Sequence, residues 1–149
     1  MTGATPSVEV DHAALIRPFL INRWRSRYDS IAPRSRRRAE LYGKLCHGYE
    51  QVLDWRNARP TAAISLVSEL RQSGATDTCY CFCAPPELDG RVLPLIEAIA
   101  VLYGHGLPVL LVCKPGSLGY FEPEYVSGAG LRFVLQRSAE PVAGAIRRI

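Results

Sequence analysis

Residues 78–122 read TCYCFCAPPELDGRVLPLIEAIAVLYGHGLPVLLVCKPGSLGYFE, and this stretch decides the fold. Residues 79–83 alternate thiols with aromatic rings, the period of a strand. Residues 93–103 carry Leu95, Ile96, Ile99 and Leu102 at helical spacing, with Pro94 at the start and Gly104-His105-Gly106 at the stop. Residues 107–113 are almost wholly apolar, as expected of a strand buried on both faces. Two such runs bridged by a helix predict a βαβ unit with a parallel strand pair. The loops after two parallel strands lie side by side, at the sheet edge where ligands usually bind.

Outward from this unit, the turn Lys114-Pro115-Gly116-Ser117 leads into a strand at 118–122. A last strand follows at 131–137, where Leu131, Phe133 and Leu135 face one way and Arg132 and Gln136 the other. These two strands are expected to form an antiparallel hairpin with the last one half exposed. An unprotected edge there would allow a homo-oligomer. On the N-terminal side, Leu15, Phe19, Leu20 and Trp24 predict a helix over 12–28, capped by Asp11, with Pro18 complicating its start. Leu41, Tyr42 and Leu45 predict a second over 33–47, with Pro33 in its first turn and Gly48 after its end. Residues 49–55 fit either a short strand or a helical turn, and Thr61 to Gly74 reads as a third helix.

The fold class expected is α+β (mixed α/β): a small mixed sheet with one βαβ unit and a C-terminal antiparallel hairpin, packed by N-terminal helices. Residues 1–11 read as a tail and 12–149 as a single domain. Within it, 12–48 form a basic helical hairpin and 61–137 the sheet-containing part.

At 149 residues and 48% hydrophobic, the chain has enough apolar surface for a core without disulfides or metal, which excludes a disordered protein. No apolar run reaches the length of a membrane span. The first ten residues lack the positive start of a secretory leader, so a cytoplasmic location and no membrane partner are expected. Cys79, Cys81 and Cys83 share a strand face, and C-x-C is neither the redox C-x-x-C nor the turn spacing of a zinc site. They read as packed thiols, with no metal and no cofactor expected.

Charge is uneven. Residues 12–48 hold nine basic side chains against two acidic ones, a net of +7, while the rest of the chain holds nine against twelve. Arg23, Arg27, Arg34, Arg36, Arg37 and Arg38 gather at the junction of the first two helices, with Arg25, Trp24 and Tyr28 interleaved. Guanidinium groups grip carboxylates and phosphates, so an acidic partner, protein or nucleic acid, is the first functional expectation. The second is an enzyme or small-anion binder using the two loops, with Glu87, Asp89, Lys114, Ser117, Tyr120 and Glu122 around a cleft. The turn at 114–117 lacks the length, second glycine and following helix of a phosphate-binding loop. Catalytic residues stay unassigned.

Overall fold

A computed structural model describes residues 10–61, 65–124 and 131–137. Its centre is a six-stranded sheet: β1 (Ala58–Pro60), β2 (Thr78–Cys83), β3 (Val92–Pro94), β4 (Val109–Lys114), β5 (Leu118–Glu122) and β6 (Phe133–Gln136), in the order β1-β6-β5-β4-β2-β3. Every neighbouring pair is antiparallel.

This overturns the parallel pair and the βαβ unit expected from the sequence. Tyr80 faces Val112 and Cys83 faces Val109, so β2 and β4 run in opposite directions. The cause is three residues. Val92–Pro94 leave the loop after β2 as an edge strand hydrogen-bonded back along it, with Cys79 opposite Leu93. The chain has therefore reversed once before helix α5 (Leu95–Leu102) carries it across. β3 and β4 point the same way, since both oppose β2, but β2 lies between them.

Alternation then sorts the side chains to two faces. Tyr80, Phe82, Leu110, Val112, Phe121 and Leu135 pack beneath the N-terminal helices. These are α1 (His12–Ile16), a 3₁₀ turn (Arg17–Phe19), α2 (Asn22–Arg25) and α3 (Arg36–Gly48). The helix expected over 12–28 is thus broken in three, because Pro18 removes a backbone donor and Leu20 turns extended to bridge Leu53. Ser35, not Pro33, sets the start of α3, its Oγ accepting the Arg38 N–H at 3.2 Å.

Cys79, Cys81, Cys83, Leu111, Cys113 and Tyr120 line the opposite face, under α4 (Leu66–Gln72) and α5. Burial pushes the Cys83 and Cys113 thiols up to about 12, so these sulfurs pack as small apolar groups. The last strand is not the edge it was expected to be. β1 pairs with it through Ala58–Leu135 and Pro60–Phe133, and the new edge is three residues long and ends in a proline. The edge that suggested self-association through β6 is filled from within the chain. Among the described residues, no helix is long and apolar enough to cross a membrane.

Candidate functional site

The antiparallel arrangement separates the residues expected to form one cleft. Glu87 and Asp89 follow β2 and lie at the end of the sheet where Cys83 pairs with Val109. Lys114 and Ser117 form the β4–β5 turn, at the opposite end, beside the start of β2. Tyr120 and Glu122 sit on the α5 face, inside the protein. The Tyr120 hydroxyl donates to Glu122 Oε2 at 2.5 Å, and both Glu122 oxygens accept the Gly104 N–H at 3.1 Å. Burial, then the Glu122 hydrogen bond, raises the Tyr120 pKa far beyond its ordinary range. This network ties the end of α5 to the sheet, and Arg132 lies 3.6 Å from Glu122 while stacking 4.1 Å over Tyr103.

Asp89 has a different partner. Arg38 reaches down from α3 and meets both its oxygens, Nε to Oδ2 and Nη2 to Oδ1, each at 2.8 Å. Arg38 Nη1 donates to the Ile31 carbonyl at 2.8 Å, and the guanidinium lies 4.6 Å over Phe82. Asp89 Oδ1 also accepts the Cys83 N–H at 3.0 Å. Burial is the largest influence and opposes the charge on Arg38, but the Asp89 hydrogen bonds, the Asp89 charge and Tyr80 together leave the pKa above its ordinary value. Arg38 is only 2% exposed, so it leaves the group of surface arginines and becomes a strut between α3 and the β2–β3 loop. Its spacing from Leu41 and Leu45 places it on the buried stripe of α3, the signal that sequence reasoning passed over. Gly90 completes the strut. It holds φ +80°, and a Cβ there would stand 2.5 Å from Pro33 Cγ.

The other arginines stay outside. Arg23, Arg27, Arg34, Arg36 and Arg37 are exposed, Arg23 on α2, Arg27 and Arg34 in the α2–α3 connection, and Arg36 and Arg37 in the first turn of α3. Arg27 binds Glu40 at 2.7 Å, and Arg37 approaches the same carboxylate at 3.9 Å. Hydrogen bonding from Arg27 leads the causes that hold Glu40 below its ordinary value. Arg34 adopts φ +70°, a strained backbone for a long side chain. An open groove of about 560 Å³ runs between Ser26, Arg27, Ser35, Arg36 and Arg37, with Asp29 on its rim.

Position sharpens the charge. A helix start carries partial positive charge and favours carboxylates. The first turn of α3 holds three arginines and no acidic residue. Trp24, the one partly accessible ring among them, is covered by its own neighbours: Arg23 lies 4.9 Å and Lys44 4.4 Å from the ring. Tyr28 is fully buried.

Fold and site together define an α+β protein with helices packed on both faces of an antiparallel sheet. The chain matches no family model, no curated protein and no solved structure. Among the described residues, no group of three or more metal-ligating side chains assembles.

Proposed function

We propose that this chain is a non-catalytic binding protein that engages an acidic partner through the exposed arginines around the start of α3. The carrying observation is the first turn of that helix. Arg36 and Arg37 stand exposed at its positive end with no carboxylate in the turn, against the usual electrostatic preference. An arriving anion relieves that repulsion and meets guanidinium forks in the adjoining groove.

An acidic polypeptide segment suits this surface better than single-stranded nucleic acid. Bases need exposed rings to stack on. The rings here are buried or already covered by Arg23 and Lys44.

The test is fluorescence anisotropy with a labelled polyglutamate peptide and a single-stranded oligonucleotide of equal charge. The peptide is expected to bind, to weaken as salt rises from about 50 to 300 mM, and to be lost in Arg36→Glu/Arg37→Glu. Salt-independent binding, an unaffected double variant or a preference for the oligonucleotide would each overturn the reading.

A further inference from the structure

A second hollow opens on the other flank of the α3 start. Ser35, Ala39 and Tyr42 recur at i, i+4 and i+7, so they line one side of the helix. Ala84 and Pro86, from the loop after β2, line the other side of a space of about 280 Å³, and Pro33 and Phe82 complete it. Ala39 is small and exposed, which leaves room that a longer side chain would fill. The walls are held at a set separation. Arg38 ties α3 to the loop through its two 2.8 Å contacts with Asp89, and prolines at 33 and 86 have a fixed φ. The hollow is therefore formed before anything binds, and binding there orders little of the protein.

Its side chains have committed their polar atoms within the protein. Arg38 serves Asp89 and the Ile31 carbonyl, and Ser35 Oγ accepts the Arg38 N–H. The Tyr42 hydroxyl donates to the Pro108 carbonyl at 2.8 Å, and its ring stands edge-on to Phe82 with centroids 5.7 Å apart. A group that enters finds carbon more than hydrogen-bond partners, so an apolar one suits it and a polar one does not. Size narrows the occupant. The space of about 280 Å³ lies just below the roughly 300–1,000 Å³ that takes a drug-sized ligand, which fits one bulky side chain. Charge narrows it further. Ser35 lines both this hollow and the basic groove of Arg36 and Arg37, and exposed Arg34 lines the hollow itself. Arg34 and Arg36 form no ion pair among the described residues. Glu87, exposed beside Pro86, puts a negative charge on the opposite wall.

We infer that this hollow is the anchor pocket for the acidic partner, whose binding segment carries one bulky apolar side chain next to its run of carboxylates. This rests on the reading of the α3 arginines as the partner-binding surface, and it adds what charge alone does not supply. Attraction between exposed charges speeds association but separates one acidic sequence from another only weakly. An apolar side chain seated in a preformed pocket supplies selectivity and residence time. With the anchor in place, the neighbouring carboxylates reach Arg34, Arg36 and Arg37. They lie on one side of the anchor only, because Glu87 repels them on the other.

Anisotropy with the full chain tests it, using labelled polyglutamate peptides of equal charge that carry one terminal Trp or one terminal Ala, at either end in turn. In the better of the two orders the Trp peptide is expected to bind about tenfold tighter than its Ala counterpart. Ala39→Trp fills the hollow and should cancel that gain while leaving the Ala peptide unchanged. Position 39 is exposed, and Ala39→Leu, a better helix former, gives the same reading should the larger ring disturb α3. Arg36→Glu/Arg37→Glu should weaken both peptides. Equal affinity of the Trp and Ala peptides for folded wild-type protein, with both weakening in salt, would overturn the anchor pocket and leave the basic surface standing. A Trp gain that survives both substitutions at Ala39 would seat the anchor elsewhere and overturn it as well. Binding of neither peptide would overturn the basic surface, and the pocket with it.

Discussion

Replacing Asp89 with alanine tests whether the N-terminal layer is fixed to the sheet by one buried charge pair. The substitution removes both oxygens that meet Arg38 and the acceptor of the Cys83 N–H. Arg38 keeps the Ile31 carbonyl but is left charged at 3% side-chain exposure. Stranding one member of a buried pair costs about 3–5 kcal/mol. Asp89 is itself 18% exposed, so some water reaches the stranded charge and the lower end, about 3 kcal/mol, is expected. That is a large share of the roughly 5–15 kcal/mol that holds a typical domain folded. With a urea dependence of about 2 kcal/mol per molar, the unfolding midpoint falls by about 1.5 M. Circular dichroism during urea unfolding reads this directly. The double variant Arg38→Met/Asp89→Leu removes both charges and fills the space, so it should recover at least about 1 kcal/mol over the sum of the single losses. A midpoint shift under about 0.5 M for Asp89→Ala, or simple additivity in the double variant, would refute the strut.

Three further outcomes are expected. Arg34→Gly should stabilise the fold by about 1 kcal/mol in urea unfolding, since glycine accepts φ +70° without strain, and should weaken polyglutamate binding in the same preparation. Burial, then the charge of Arg38, holds His12 below its ordinary 6.5, with its ring 2.8 Å from the Tyr80 hydroxyl. The folded state therefore prefers neutral His12: this contribution is fully present above pH 6.5 and is lost as the pH falls through the folded value, so urea midpoints should drop from pH 7.5 towards 5 and His12→Asn should flatten that slope. Of five free cysteines only Cys46 is partly exposed, so a thiol reagent should modify at most that one in native protein and all five in denaturant; fast reaction of Cys83 or Cys113 would contradict their packing.

The elements of the chain were more legible than their pairing. Strands at β2, β4 and β5 and the helix between β2 and β4 announce themselves by period, because each buries a face and must carry apolar residues at that spacing. Strand direction carries no such mark. It turned on Val92–Pro94, three residues that read as the approach to a helix, because a short edge strand needs little apolar content and Pro94 also suits a helix start. β1 escaped notice for the same reason: Ala58–Pro60 has no strand pattern of its own and exists because β6 offers a free edge.

The candidate sites follow the same division. Exposed arginines at the start of α3 could be read from charge density, since surface charge is a property of local sequence. Arg38 could not be separated from them by composition, and only its register with Leu41 and Leu45 marks it as inward. The hollow between α3 and the loop after β2 lay beyond sequence reading altogether. Its walls come from residues 33–42 and 82–89, and the Arg38–Asp89 pair is what holds them together. Asp89 joins both cases. As part of an Asp-Gly turn it explains the reversal into β3, and as the partner of Arg38 it explains why the loop that makes that reversal is anchored to α3. The loop that leads into β3, and so into the antiparallel arrangement, is therefore held by the same residue that fixes α3 over the sheet.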